Sequence, residues 1–235
     1  MKKAFTLLEL VFVIVVIGIL ASVIIPRINT DRLGEAALQV VSHIRYTQHL
    51  AMSEDIYDKV DVDWYKERWQ FIFGSHENTS GKDTNGKYAY TIFSDKFSTS
   101  AGKPSFTDMS HTEIAVDPLN KNKVLSGGYS GVIDWENQHA NINLNLGETY
   151  GITNMELSGS CSNNRISFDH LGRPMQGNPS GFSSAYEEDK LVNFDFINQA
   201  CLLILTSPEG SVSIKIFPET GYTCILDANG DCINN

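Results

Sequence analysis

The sequence lacks the short patterns that mark common enzymes. It has no His-Glu-x-x-His and no Cys-x-x-Cys, so the spacings that hold a catalytic zinc or a redox dithiol are missing. Gly127-Gly128-Tyr129-Ser130-Gly131 does not fit the Gly-x-Ser-x-Gly nucleophile elbow. The six histidines are scattered, and a nucleophile needs both a base and a group that orients the base. His170 stands beside Asp169 in Phe-Asp-His-Leu-Gly-Arg-Pro and reads as a turn residue before a general base. No enzymatic activity is expected. Positive charge is also scarce: 18 Lys and Arg face 28 Asp and Glu, for a net charge of -10. After Phe217 there is no Lys or Arg at all, only Glu219, Asp227 and Asp231. Nucleic-acid binding needs several side chains that neutralise phosphates, so the balance argues against it. There is no internal repeat and no long low-complexity tract.

Charge is missing from Phe5 to Ile25 as well, except for Glu9. That length matches the ~20 apolar residues of a transmembrane helix, and Lys2 and Lys3 before it would stay on the cytoplasmic side. A secretory signal peptide fits poorly, because its apolar stretch is only ~7–15 residues and ends in a small-x-small site. A carboxylate in hydrocarbon costs roughly 2.5–3.5 kcal/mol and calls for a partner. A cut between Ala4 and Phe5 would place a new α-amino group one helical turn before Glu9. The ammonium of one helix could then pair with Glu9 of a neighbouring, axially shifted helix. Such a contact would set the register between subunits.

These residues resemble the N-terminus of type IV pilins and of the pseudopilins of type II secretion. That pattern is a short basic leader, a small residue, a cut, then Phe-Thr-Leu-x-Glu and an apolar helix with a proline near its end. Phe5, Thr6, Leu7, Leu8, Glu9 and Pro26 match it. Where the family has Gly before the cut, this chain has Ala4. The resemblance implies removal of a leader, residues 1–4, and N-methylation of Phe5 by a prepilin peptidase. Glu9 would serve processing and recruitment. Without its leader the chain would lose two lysines, taking the net charge from -10 to -12.

Beyond Pro26, Leu33, Ala36, Ala37, Val40, Val41, Ile44 and Ala51 recur at helix spacing. Asp31, Arg32, Glu35, Gln39, Ser42, Arg45 and Gln48 fill the other side, and His43 and His49 read there as solvated. The spacing predicts one long helix from Phe5 to about Ser53, kinked at Pro26. Residues 5–25 would be its transmembrane half and 26–54 its amphipathic half. From residue 55 onward, β-branched and aromatic runs alternate with Gly, Asn, Pro and Ser clusters. Strands are expected at Arg68–Phe73, Lys87–Phe93, Thr112–Val116, Gly151–Leu157, Arg165–Phe168, Cys201–Leu205, Ser211–Phe217 and Tyr222–Leu226. The expected fold class is α+β, a long N-terminal helix packed on an antiparallel, two-sheet C-terminal domain.

Two C-terminal stretches narrow the resemblance. Ile166, Phe168, Gly172, Arg173 and Pro174 match a strand-and-turn element, and Ile214, Ile216, Thr220 and Gly221 match a final hairpin. Together they resemble the H-type minor pseudopilins and the FimT-like minor pilins. The resemblance implies a low-copy assembly subunit near the tip of a secretion or pilus-like filament. It would sit in the bacterial inner membrane with a single pass, its β domain in the periplasm. Its partners would be other pseudopilins or minor pilins, the prepilin peptidase, an inner-membrane assembly platform and membrane lipid. The rival expectation is a FimT-like pilin that binds DNA during uptake.

Four cysteines, an even number, fit an oxidising compartment. Three connectivities are open. A bridge from Cys224 to Cys232 would close a loop around the Asn229-Gly230 turn and leave Cys161 to pair with Cys201; free buried thiols are the other reading. No cofactor is expected. Asp227, Asn229 and Asp231 alternate like the first half of a calcium loop, but Cys232 stands where that loop needs Gly and no closing Glu follows. Trp64, Tyr65 and Trp69, with Lys66 and Arg68, could stack on a base or sugar, and more simply pack a core edge.

Overall fold

The computed structural model describes residues 6–24, 31–78, 82–94, 96, 113–161, 163–185 and 201–233. They divide into two compact units, residues 1–32 and 33–235. The first unit holds helix α1, Leu7–Ile24. The second opens with α2, Arg32–Ser53. Among the described residues the expected single long helix is not found; α1 has 18 residues and α2 has 22. Pro26, the expected kink, lies outside the described residues.

The expected membrane span is also corrected. Among the described residues no helix is long and apolar enough to cross a membrane. Glu9 lies in the first turn of α1. The single-pass placement in an inner membrane, with a periplasmic domain, is thus not supported.

Among the described residues of the second unit, eight strands form two antiparallel sheets. The first has the order β2 (Ala89–Ser94), β1 (Trp69–Gly74), β4 (Arg165–Phe168), β5 (Pro174–Met175). The second runs β3 (Asn154–Gly159), β6 (Cys201–Ser207), β7 (Gly210–Ile216), β8 (Thr223–Ile225). A short helix, α3 (Leu146–Tyr150), is capped by the Asn145 side chain, which accepts from the Glu148 N–H. Thr112 of the expected strand Thr112–Val116 lies outside the described residues, and residues 113–116 make only isolated bridges. Ile114 bridges Phe93 while Val116 bridges Val124, so no ladder can propagate among the described residues.

Register explains the core. Phe71 lies opposite Ile92 on one side and Ile166 on the other, so all three share one face. Phe73, Tyr90 and Phe168 join them, and Leu203, Leu205, Ile214 and Ile216 come from the second sheet. The buried stripe of α2 completes this cluster with Ala36, Ala37, Val40, Val41 and Ile44. The two alanines keep that face of the helix flat, and the larger residues below it fill the core. Behind the first sheet a second cluster gathers Ile72, Phe93, Ile114 and Ile133.

Candidate functional site

The functional residues proposed from sequence concentrate at the start of α1. Ala4 and Phe5 lie outside the described residues. Thr6 and Glu9 form a reciprocal cap. The Thr6 N–H and hydroxyl both donate to Glu9 Oε2, at 3.0 and 2.9 Å, and the Glu9 N–H points to Thr6 Oγ1 at 3.3 Å. This is a capping box, the Thr-x-x-Glu arrangement that satisfies helix-end donors. Hydrogen bonds from the Thr6 backbone and hydroxyl hold the Glu9 carboxyl below its ordinary value. Glu9 therefore has a partner within its own chain, and Oε1 takes part in neither contact. From Leu7 to Leu20 every side chain of α1 is exposed, and the apolar residues cover all sides of the helix.

The C-terminal motif residues meet on α2. Gln48 Nε2 donates to the carbonyls of Gly172, at 2.8 Å, and Thr220, at 2.7 Å. The strand-and-turn element and the final hairpin are thus pinned by one amide. Gly221 has a φ of +64°, and a Cβ there would overlap the Gly172 carbonyl and Gln48. Asp169 is consumed in its turn: Oδ1 accepts from the Leu171 and Arg173 N–H groups, and Oδ2 from Arg173 Nε at 2.8 Å. These bonds commit Asp169 to the turn. Arg45 closes the hairpin from the helix side, donating to the Thr223 carbonyl at 2.7 Å.

His43 is not the solvated residue that its place on the helix suggests. It is half-buried, and its Nδ1 lies 2.6 Å from the Tyr90 hydroxyl. Tyr90 is fully buried and already accepts from Gln39 Nε2 at 2.8 Å. With the Tyr90 proton given to Nδ1, a neutral His43 carries its own proton on Nε2. Gln39 also donates to the Asn143 carbonyl and accepts from the Tyr150 hydroxyl, each at 2.8 Å. Burial lowers the His43 pKa, opposed by the charge of Asp117, and burial raises that of Tyr90. The network ties α2 to β2 and α3. Sequence reasoning missed it because β2 brings Tyr90 from 47 residues away.

The remaining expected residues are structural in this arrangement. Cys161 pairs with Cys201, and Cys224 with Cys232. Asp227 Oδ1 accepts the N–H groups of Asn229 and Asp231, both at 2.9 Å, so the alternating acids organise a turn. Main-chain donors, led by that of Asp231, hold the Asp227 carboxyl below its ordinary value. Trp69 Nε1 donates to the Glu54 carboxylate, Trp64 packs edge-on against Tyr57, and Arg68 lies over Phe182. The cluster braces the entry to β1. Among the described residues there is no group of three or more His, Cys, Asp or Glu placed to hold a metal. No family model, no curated protein and no solved structure matches this chain.

Proposed function

We propose that this chain is a structural subunit of a pilin-like filament, a low-copy component that joins its neighbours through α1. The observation that carries the reading is the surface of α1, apolar on all sides and exposed from Leu7 to Leu20. A helix that is apolar all round needs cover. Side-by-side packing with like helices supplies it, and the small residue Gly18 has open space beside it for a close approach. The resemblance of Phe5 to Glu9 supports the same reading. The second unit would ride on this attachment and contribute lateral contacts.

The test replaces Phe12 with the photo-cross-linker benzoylphenylalanine in the full chain. Phe12 is exposed, so the exchange is conservative. The expected product joins Phe12 to the apolar N-terminal helix of a second subunit, identified by mass spectrometry. Irradiated samples that contain no cross-linked polypeptide would sink the reading.

A further inference from the structure

On the second unit, four side chains form an unbroken cation–aromatic ladder. The Arg45 guanidinium lies 5.4 Å from the Tyr222 ring centroid, Tyr222 is 5.8 Å from Phe217, and the Lys215 ammonium is 4.7 Å from Phe217. Tyr222 is 46 % exposed. Hydrogen bonds from Nε and Nη2 to the Thr223 carbonyl fix Arg45 in place. Among the described residues neither Arg45 nor Lys215 belongs to an ion pair. Exposed Leu171 and Met52, beside the turn pinned by Gln48, extend the face with apolar area. In a chain of net charge -10, this is a cationic, partly apolar surface, with Glu219 exposed in the turn between Phe217 and Tyr222.

Such a face fits a partner that carries spaced carboxylates among apolar side chains. The chain itself has a segment of that chemistry, residues 55–63. Tyr57, Val60 and Val62 are 64 %, 80 % and 82 % exposed. In the same segment Asp55, Asp58 and Asp61 accept main-chain N–H groups and are in no ion pair among the described residues, Asp63 pairs with Lys66 at 2.8 Å, and Lys59 is the one cation. We propose that residues 55–63 of a second copy dock on the Arg45–Tyr222–Phe217–Lys215 ladder. Tyr57, Val60 and Val62 would cover Leu171 and Met52, and the aspartates would face Arg45 and Lys215. The two surfaces differ, so the contact is head-to-tail. It deepens the subunit reading by naming a lateral partner, and it uses a surface other than α1.

The test uses the full chain in non-ionic micelles, with copies of normal and heavy nitrogen mixed in equal amounts. A zero-length carbodiimide should couple the Lys215 amine to Asp58 or Asp61 in pairs of mixed isotope. Lys215 coupled only within one isotope, or not coupled to residues 55–63 at all, overturns the proposal. A charge exchange decides independently. Arg45→Glu/Lys215→Glu alone and Asp58→Lys/Asp61→Lys alone should each associate at least ~10-fold more weakly in sedimentation velocity at low salt. Mixed together, the two variants should recover that association. A mixture no better than its parts overturns the contact. If a variant fails to fold, the wild-type isotope test stands by itself. Intact Phe12 cross-linking beside a failed exchange overturns the ladder alone; failure of both overturns the subunit reading too.

Discussion

Helices α1 and α2 are close in length, 18 and 22 residues, and are stabilised in opposite ways. In α1 the apolar residues lie on every side and all described ones are exposed. In α2 a narrower apolar stripe, Ala36 to Ala51, is buried against two sheets while the exposed side is mostly polar, with Leu38 and Met52 its apolar exceptions. Total hydrophobicity therefore does not tell where a helix packs; the angular distribution does. A one-sided stripe is satisfied within its own fold, and an all-round apolar surface is satisfied only by something added. The comparison sharpens into paired substitutions.

The largest effect is expected in the core beneath α2. Ile44 is fully buried, so Ile44→Ala should lower the unfolding free energy by about 2–5 kcal/mol. Ile14→Ala on α1 removes as many atoms from an exposed helix and should leave that transition unchanged. Urea unfolding followed by Trp fluorescence reports on the unit that holds all three tryptophans. Equal losses for both substitutions would erase the distinction.

The disulfides give the next step down. Cys161–Cys201 spans 40 residues and ties β3 to β6, whereas Cys224–Cys232 spans 8 and ties only the C-terminal loop. Chain-entropy arguments give roughly 4 and roughly 2.5 kcal/mol respectively. Cys161→Ser/Cys201→Ser should therefore lower the urea midpoint more than Cys224→Ser/Cys232→Ser. The reverse order would mean that the C-terminal loop carries more of the fold than its length implies.

How much of this was legible depended on whether the controlling contact was local. The α2 stripe follows from period alone, and six of its seven buried residues were read from spacing. Thr47 was missed because it is polar; its hydroxyl is satisfied by the His43 carbonyl one turn back, at 2.8 Å. His43 was misplaced because Tyr90 and the charge of Asp117 reach it from distant parts of the chain. The capping box was legible all along in Thr6-Leu7-Leu8-Glu9. The meeting of Gly172, Thr220 and Gln48 lies in no local pattern.

A smaller effect should appear on acidification. The folded-state pKa of His43 lies below its unfolded value, chiefly through burial. Its neutral form is therefore favoured by folding. Stability from this group is full above about 6.5, the ordinary value for His, and falls as pH drops towards and through the folded value. Protonation would also turn Nδ1 into a donor and leave the Tyr90 hydroxyl facing two donors. Tyr90 contributes the opposite arm: burial raises its pKa, so its share is present below about 10 and lost as pH rises. Unfolding free energies from pH 7.5 to 5 should decline for wild type and decline less for His43→Phe. Identical slopes would remove His43 from the account.

The smallest effect on the fold belongs to the cap of α1, and it separates two roles of Glu9. Glutamine can also close a capping box, so Glu9→Gln keeps the local arrangement and removes the charge. Thr6→Ala and Glu9→Ala remove the cap itself. Amide exchange in the first turn of α1 should quicken several-fold in both alanine variants and stay near wild type in Glu9→Gln. Incorporation into filaments then divides the cases. If Glu9 pairs with the ammonium of a neighbouring helix, Glu9→Gln should fail to incorporate although its helix end is intact. If Glu9 acts only through the cap, Glu9→Gln should incorporate normally and Thr6→Ala should be the weaker subunit. Normal incorporation of Glu9→Ala would refute both roles, leaving the apolar surface of α1 as the sole determinant of assembly.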